Sequence, residues 1–420
     1  MKKIFLMTLL ILTVSYVNAQ TRITLEECYL KARDNYPLIK QKEYIAKSKD
    51  YNVSNVWKGY FPQITINGQA SYQSDVTTIP LPTLGVSYET LSKDQYKAFA
   101  DVSQVIYDGG LISSQADIQE SMADVDDQKL EIELLNLKER VNQIYFGILL
   151  LDEQLKQIDL VKKDLNESLS KLTASLEFGT ATQTNVDILK AELLKTEQRK
   201  IELFSSHKAY IKMLSLLING NLDEDSNLVP PRTLNIITAA EINRPELKLY
   251  SSHQKIVESQ NGLTVSKILP KASLFFQGGY GKPTFDMLKN EFGWYYITGA
   301  RLSWPLSNFY TQGNEKEINE LTKKTIETQK ETFLLNTNVS LKQQLIEIDK
   351  LKDLINVDKE IIVLRTSVKE SSRAQLENGV ITSSDFIREL NSEDSAKQNL
   401  AMHTIQLLFA QYNYKITIGN

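Results

Sequence analysis

The chain has 420 residues, 42% of them hydrophobic and 24% charged, with a net charge of −4. That composition excludes bulk disorder, and its acidic balance argues against nucleic acid, which wants a basic footprint. Cys28 is the only cysteine, which excludes an internal disulfide.

The opening MKKIFLMTLLILTVSYVNAQ places Lys2 and Lys3 before an apolar run from Ile4 to Val14. Val17-Asn18-Ala19 then supplies a small-residue cleavage site, so residues 1–19 read as a secretory signal peptide. No later apolar run approaches the ~18 residues of a membrane helix. If the mature chain meets a membrane, strands must do it. ITLEECYLKA begins a helix predicted from Leu25 to Trp57, with Cys28 as a small buried residue. A hairpin follows: FPQITINGQASYQSDV and QYKAFADVSQVIY flank a loop with Pro80 and Pro82. Next come a helix from Ser113 to Leu176, about 96 Å long, and one from Ala181 to Asn219, about 58 Å long. The opening helix, at about 50 Å, and this last one together nearly match the long helix, so the two could stack end to end beside it. Residues 220–243, with a Pro-Pro pair, form a linker. A second hairpin, ASLFFQGGYGKPTF and FGWYYITGARLSWPL, precedes two more long helices.

The order repeats because the chain repeats. Pro37 and Pro245 are 208 residues apart, as are Pro62 and Pro270. Ala100 and Ala300 are 200 apart, as are Gly179 and Gly379. Residues 20–219 and 244–420 are therefore read as two copies of one unit. Helix breakers are sparse within each: Gly147 and Gly179 are the only glycines from Leu111 to Ile218, and Gly379 is the only one from Asn314 to Ile418. Gly179 and Gly379 suit the left-handed position that ends a helix, and the threonines that follow can cap the next one. Leu151, Leu155, Ile158, Leu165, Leu169, Leu172 and Leu176 form a coiled-coil seam interrupted at Lys162. The second copy has a weaker series, Leu354, Ile361 and Val368.

The last strand carries a membrane pattern. Trp294, Tyr296, Thr298, Ala300, Leu302 and Trp304 share one face; Tyr295, Ile297, Gly299, Arg301 and Ser303 share the other. The two tryptophans stand about 33 Å apart along a strand, which a barrel tilt reduces to about 25 Å, the height of an apolar band between aromatic girdles. Four strands cannot close a membrane barrel, and open edges in lipid are costly. An ordinary amphipathic hairpin packed on a soluble core shows the same alternation; if the strands span a membrane, several chains must pool them, and three would give twelve, although the argument alone does not fix the number.

In this order and spacing the chain resembles the TolC family of outer-membrane efflux channels. ITLEECYLKARDNYPLIK is similar to the family's opening helix, FPQITINGQASY to its first strand and SQVIYDGGLISSQ to its strand-to-helix turn. FGTATQTNVDILKAELL and NGVITSSDFIRELNSE resemble its two helical-hairpin turns. The resemblance implies a mainly α fold: long antiparallel coiled-coil helices form a periplasmic tube, and four strands per protomer enter a shared 12-stranded outer-membrane barrel. It implies a homotrimeric passive duct of a tripartite efflux or type I secretion system, with a membrane-fusion adaptor and an inner-membrane pump as partners. The adaptor would dock at tip turns containing Gly179, Thr180, Thr182, Gly379, Val380 and Thr382. Trp294, Tyr296 and Trp304 would form the membrane girdle. Some family members close the entrance with acidic rings six and nine positions after the second tip glycine. Those positions are Asp385 and Arg388 here, so the second departs from the pattern. Three positions apart on a helix, the two could pair; Asp385 could equally serve the helix dipole alone. The second repeat also lacks the glycine pair of YDGGL, and its turn must use Asn308 or Gly313.

No catalytic, cofactor or metal constellation is present. His207, His253 and His403 each stand alone on helical stretches and read as structural or solvated. GGYGKPT lacks phosphate-loop spacing. An enzyme is therefore not expected. A periplasmic adaptor with one helical hairpin, or a secreted coiled-coil scaffold or adhesin, are the alternatives; neither accounts for two repeats with aromatic hairpins.

Overall fold

The computed structural model describes residues 22–77, 90–224, 226–236, 241–286 and 289–420. The signal segment, Pro80 and Pro82 lie outside the described residues. In chain order the elements are α1 (Leu25–Asn35), α2 (Gln41–Trp57), β1 (Gln63–Tyr72), β2 (Asp94–Tyr107), α3 (Leu111–Glu177), α4 (Gln183–Ile218), α5 (Pro245–Ile268), β3 (Lys271–Lys282), β4 (Gly293–Ser303), α6 (Phe309–Glu377) and α7 (Ser383–Thr417). None of the described helices is long and apolar enough to cross a membrane.

The opening helix is two helices rather than one. Pro37 pushes Tyr36 out of the helical region, to ψ 123°, and a short 3-10 turn over Pro37–Lys40 leads into α2. Thr24 and Glu27 form a capping box at the start of α1, which buries Leu25, Cys28 and Ala32. α2 has no buried residue. The two strand-to-helix turns also differ. Asp108 receives the backbone N–H groups of Gly110 at 2.9 Å and Ile112 at 2.7 Å, which satisfies the start of α3. In the second repeat a 3-10 turn over Leu306–Asn308 takes this role, with the Asn308 amide donating to the Lys267 carbonyl at 2.8 Å. Of the two candidates, Asn308 makes the turn; Gly313 lies inside α6.

Packing groups the described residues into two units. One comprises the described residues up to Ile39 with Glu131–Arg244 and Leu334–Asn420; the other comprises Lys40–Leu130 and Pro245–Phe333. The first is helical. Its largest apolar cluster gathers Leu25 and Cys28, Tyr145 and Ile148 of α3, Leu214 of α4 and Leu408 of α7. The Tyr145 hydroxyl reaches the carbonyls of Ile23 (2.9 Å) and Val229 (2.7 Å), so the linker is tied into this cluster. Mid-helix Gly147 is explained here: a Cβ would stand 2.5 Å from the Tyr210 ring of α4.

A second cluster lies below the two helix tips and joins Leu165 and Leu172 of α3 to Val186, Leu189, Leu376, Phe386 and Leu390. The seam on α3 is thus buried at Ile158, Leu165 and Leu172. Its interruption, Lys162, is paired with Glu197 of α4. The weaker seam is not the face that α6 buries within the chain. Leu354 is half-buried, and Ile361 and Val368 are exposed. The buried face of α6 runs instead through Ile348, Leu351, Asp358, Lys369 and Leu376. Two of these are charged and have partners on other helices, so hydrophobic spacing alone missed the face buried within the chain.

The second unit holds a four-stranded antiparallel sheet in the order β1-β2-β3-β4. β2 pairs with β3, which joins the two hairpins into one sheet, with an irregularity between Val105 and Tyr107. Among the described residues β1 and β4 are its edges.

Candidate functional site

The sheet register sorts the side chains into two faces, because directly paired residues in antiparallel strands point the same way. Tyr280 pairs with Trp294, Gly278 with Tyr296, Phe276 with Thr298 and Leu274 with Ala300. The same rows continue through Ala98, Ala100 and Val102 of β2 to Gly68, Ile66 and Ile64 of β1. Ile64, Ile66, Leu274, Phe276, Tyr296 and Leu302 are all exposed on this face. Its only ionisable side chains other than tyrosine, Asp94 and Lys282, stand at one end. At that end Tyr72, Tyr96, Tyr280 and Trp294 cluster, with Tyr280 and Trp294 ring centroids 5.3 Å apart. Trp294 is 83% exposed. Trp304 lies just beyond β4, where its indole N–H donates to the Ile268 carbonyl at 2.9 Å and fixes the ring at the other border. An apolar band bounded by anchored aromatics matches the surface that a bilayer solvates. The opposite face carries Gln63, Thr65, Asn67, Gln69, Lys97, Asp101, Gln277 and Arg301.

The two tips are built alike. Gly179 and Gly379 both have φ +71°, a conformation that favours glycine. Gly179 donates to the Leu176 carbonyl and Gly379 to that of Leu376, each at 3.0 Å, while Thr180 and Val380 reach Ser175 and Gln375. This is a Schellman closure at each helix end. Thr182 and Thr382 are the N-caps of α4 and α7. The second cap is a full capping box: Asp385 accepts from the Thr382 backbone N–H at 3.2 Å and from its hydroxyl at 2.7 Å. These hydrogen bonds hold the Asp385 carboxyl below its ordinary range, with the Arg388 charge adding to the effect. In the first tip Asn185 occupies the matching position, and only the one-way bond to Thr182 forms.

Arg388 lies 3.6 Å from Asp385 and 3.3 Å from Glu389. The two gate candidates are thus brought together as an ion pair on an exposed surface. Phe178 went unnoticed in the sequence: directly before the first tip glycine, it is 82% exposed, and Val380 after the second is 70% exposed. A large apolar residue next to a turn glycine was its available signal.

Two of the three histidines read as solitary have partners. His207 is buried with Nε2 2.9 Å from Asp152 of α3, although the ring N–H is off the hydrogen-bond line. His403 Nδ1 lies 2.6 Å from Asp358 of α6. Each pair joins the two helices of one hairpin, so both histidines are structural and neither is solvated.

Residues 29–219 match the family model described as "Outer membrane efflux protein". Among solved structures, the outer membrane protein VceC of Vibrio cholerae is 12% identical; the match covers 94% of this chain and 94% of that one, with a TM-score of 0.69. The CmeC outer membrane channel of Campylobacter jejuni is 14% identical over 94% of this chain and 85% of that one, also with a TM-score of 0.69. The open-state MtrE outer membrane channel of Neisseria gonorrhoeae is 12% identical over 94% and 89%, again with 0.69. A comparison with curated proteins found no match. At such identities the structures establish the fold, which is that of the outer-membrane channel proteins. Residues 29–219 are thus similar in sequence to the outer membrane efflux proteins, and the fold over most of the chain is the one those channels share.

Proposed function

We propose that the chain is the outer-membrane duct of a tripartite efflux or type I secretion system and works as a homotrimer. The observation that carries this is the sheet: one girdled apolar face and two unpaired edges among the described residues. A single such sheet is untenable in lipid; three of them, closed edge to edge, make a barrel of twelve strands. The exposed Ile361, Leu364 and Val368 of α6 support the same reading, since a second copy would bury them.

In this reading residues 20–219 and 244–420 are two structural repeats joined by 220–243, and their long helices cross the periplasm. The tips at Gly179, Thr180 and Thr182 and at Gly379, Val380 and Thr382 receive a membrane-fusion adaptor, which an inner-membrane pump drives. Asp385 and Arg388 contribute to the entrance as a paired charge rather than a bare acidic ring, so entrance selectivity for cations is weak.

The test is to purify the mature chain from membranes in mild detergent and image it by electron microscopy. Threefold end views with a detergent belt at one end are expected. A monomer that needs no detergent, or rods without a belt, would return the chain to the scaffold reading.

A further inference from the structure

We propose that the inner face of the sheet favours anions and that Arg301 sets this preference, which makes anionic cargo, bearing carboxylate or phosphate groups, the class best passed at this stage. The proposal rests on the duct reading, which makes the polar face the lumen. The strands place three cations on that face, Lys97, Lys271 and Arg301, against one carboxylate, Asp101. Asp101 does not neutralise Arg301. It pairs with Gln277, whose other neighbour is Ile297, four residues before Arg301 on β4. That is about 13 Å along the strands and about 10 Å across two strand spacings. The separation exceeds the roughly 8 Å over which charges act in physiological salt. Among the described residues Arg301 has no carboxylate partner, and its side chain is exposed.

Its position is nevertheless fixed. The guanidinium lies 5.0 Å from the centroid of the Phe275 ring, a cation–π contact that leaves the positive charge in place. Phe275 in turn lies flat because its cross-strand partner is Gly299: a Cβ there would meet the ring at 3.0 Å. Gly299, Phe275 and Arg301 thus form a stack on the sheet, with the guanidinium uppermost and exposed. Repeated by each copy in a closed barrel, it gives a ring of uncompensated positive charge, the arrangement that selects anions in pores.

Reversal potentials in planar bilayers under a potassium chloride gradient test this, using the full trimer. The chloride-to-potassium permeability ratio is expected to fall by roughly two-fold or more in Arg301→Ala and to hold in Arg301→Lys. Arg301→Gln serves if the alanine variant fails to assemble. Gly299→Ala keeps the charge but lifts the ring, so conductance should fall while the preference for anions persists. An unchanged ratio in Arg301→Ala or Arg301→Gln, in trimers of normal mobility, overturns the inference and leaves the duct reading intact. No conductance from the wild-type chain sinks the duct reading and this inference with it.

Discussion

Cys28 shows what burial does to a single side chain. It is fully buried, and desolvation pushes its thiol up to about 12. Thiolate is the reactive form, so a maleimide reagent should leave the folded protein unlabelled at pH 8 and modify it fully in denaturant; rapid native labelling would contradict the packing. The tip caps offer a second contrast. Thr382 takes part in a reciprocal box with Asp385, whereas Thr182 has only Asn185 N–H to accept. Thr382→Ala should cost about 1 kcal/mol and raise amide exchange over the first turn of α7 more than Thr182→Ala does over α4; equal effects would show that the box adds nothing. These tips were legible in sequence because their chemistry is local: a left-handed glycine and a threonine three residues on suffice. Phe178 and the aspartate partners of His207 and His403 were not, since exposure and contacts between helices depend on how the helices pack.

At the scale of elements, the buried face of α6 is the clearest case of information that spacing lacks. Lys369 has a side chain only 6% exposed, yet it lies 3.0 Å from Asp164 of α3 and 3.2 Å from Glu393 of α7. Arg373 adds a 2.8 Å contact to Asp164. A heptad count rewards apolar residues and so found Ile361 and Val368, which are exposed in a single chain; within the chain, Lys369 joins α6 to α3 and α7 through charge. Asp164 and Glu393 resist burial and are held below their ordinary range by Lys369 with Arg373, and by Lys397, Thr366 and Lys369, respectively. Burial likewise opposes the Lys369 charge, but its carboxylate partners prevail and raise it. The signs follow from linkage. Depressed carboxylates stabilise the fold above about pH 4 and lose that contribution as pH falls through their folded values. The raised lysine contributes below about pH 10.5 and loses its share above that. The melting midpoint should therefore plateau across neutral pH and fall in acid. Lys369→Met should cost about 3 kcal/mol at pH 7, because buried Glu393 and half-buried Asp164 each lose one of their counter-charges, and should flatten the acid limb. Asp394 has the opposite sign: burial raises it, so its stabilising contribution is complete in acid and lost as pH rises through its folded value. Asp394→Asn should raise the midpoint at pH 7; a lower midpoint would mean that the nearby Arg199 charge outweighs burial.

For the whole molecule, the decisive quantity is the number of copies that satisfy the sheet edges. Alternation along the strands was readable one strand at a time, because side chains alternate with period two. The order β1-β2-β3-β4 was not, since β2 meets β3 across more than 160 residues of intervening chain, and no local pattern records that register. In the proposed duct, the same order leaves β1 and β4 to find each other between copies. Such a contact is head-to-tail, so it must close into a ring or run on without limit. Unpaired backbone groups cost several kcal/mol each in lipid, which penalises any open assembly in the membrane. A Cys28→Ser background allows this closure to be counted. Thr65→Cys on β1 combined in turn with cysteine at positions 295, 297, 299 and 301 of β4 samples the registers in which Cβ atoms come within about 4 Å. One position should cross-link on oxidation, giving dimers and then a closed trimer in denaturing gels, with nothing larger. A ladder beyond three would replace the closed barrel with another assembly. Monomers at every position would show that these two edges do not meet.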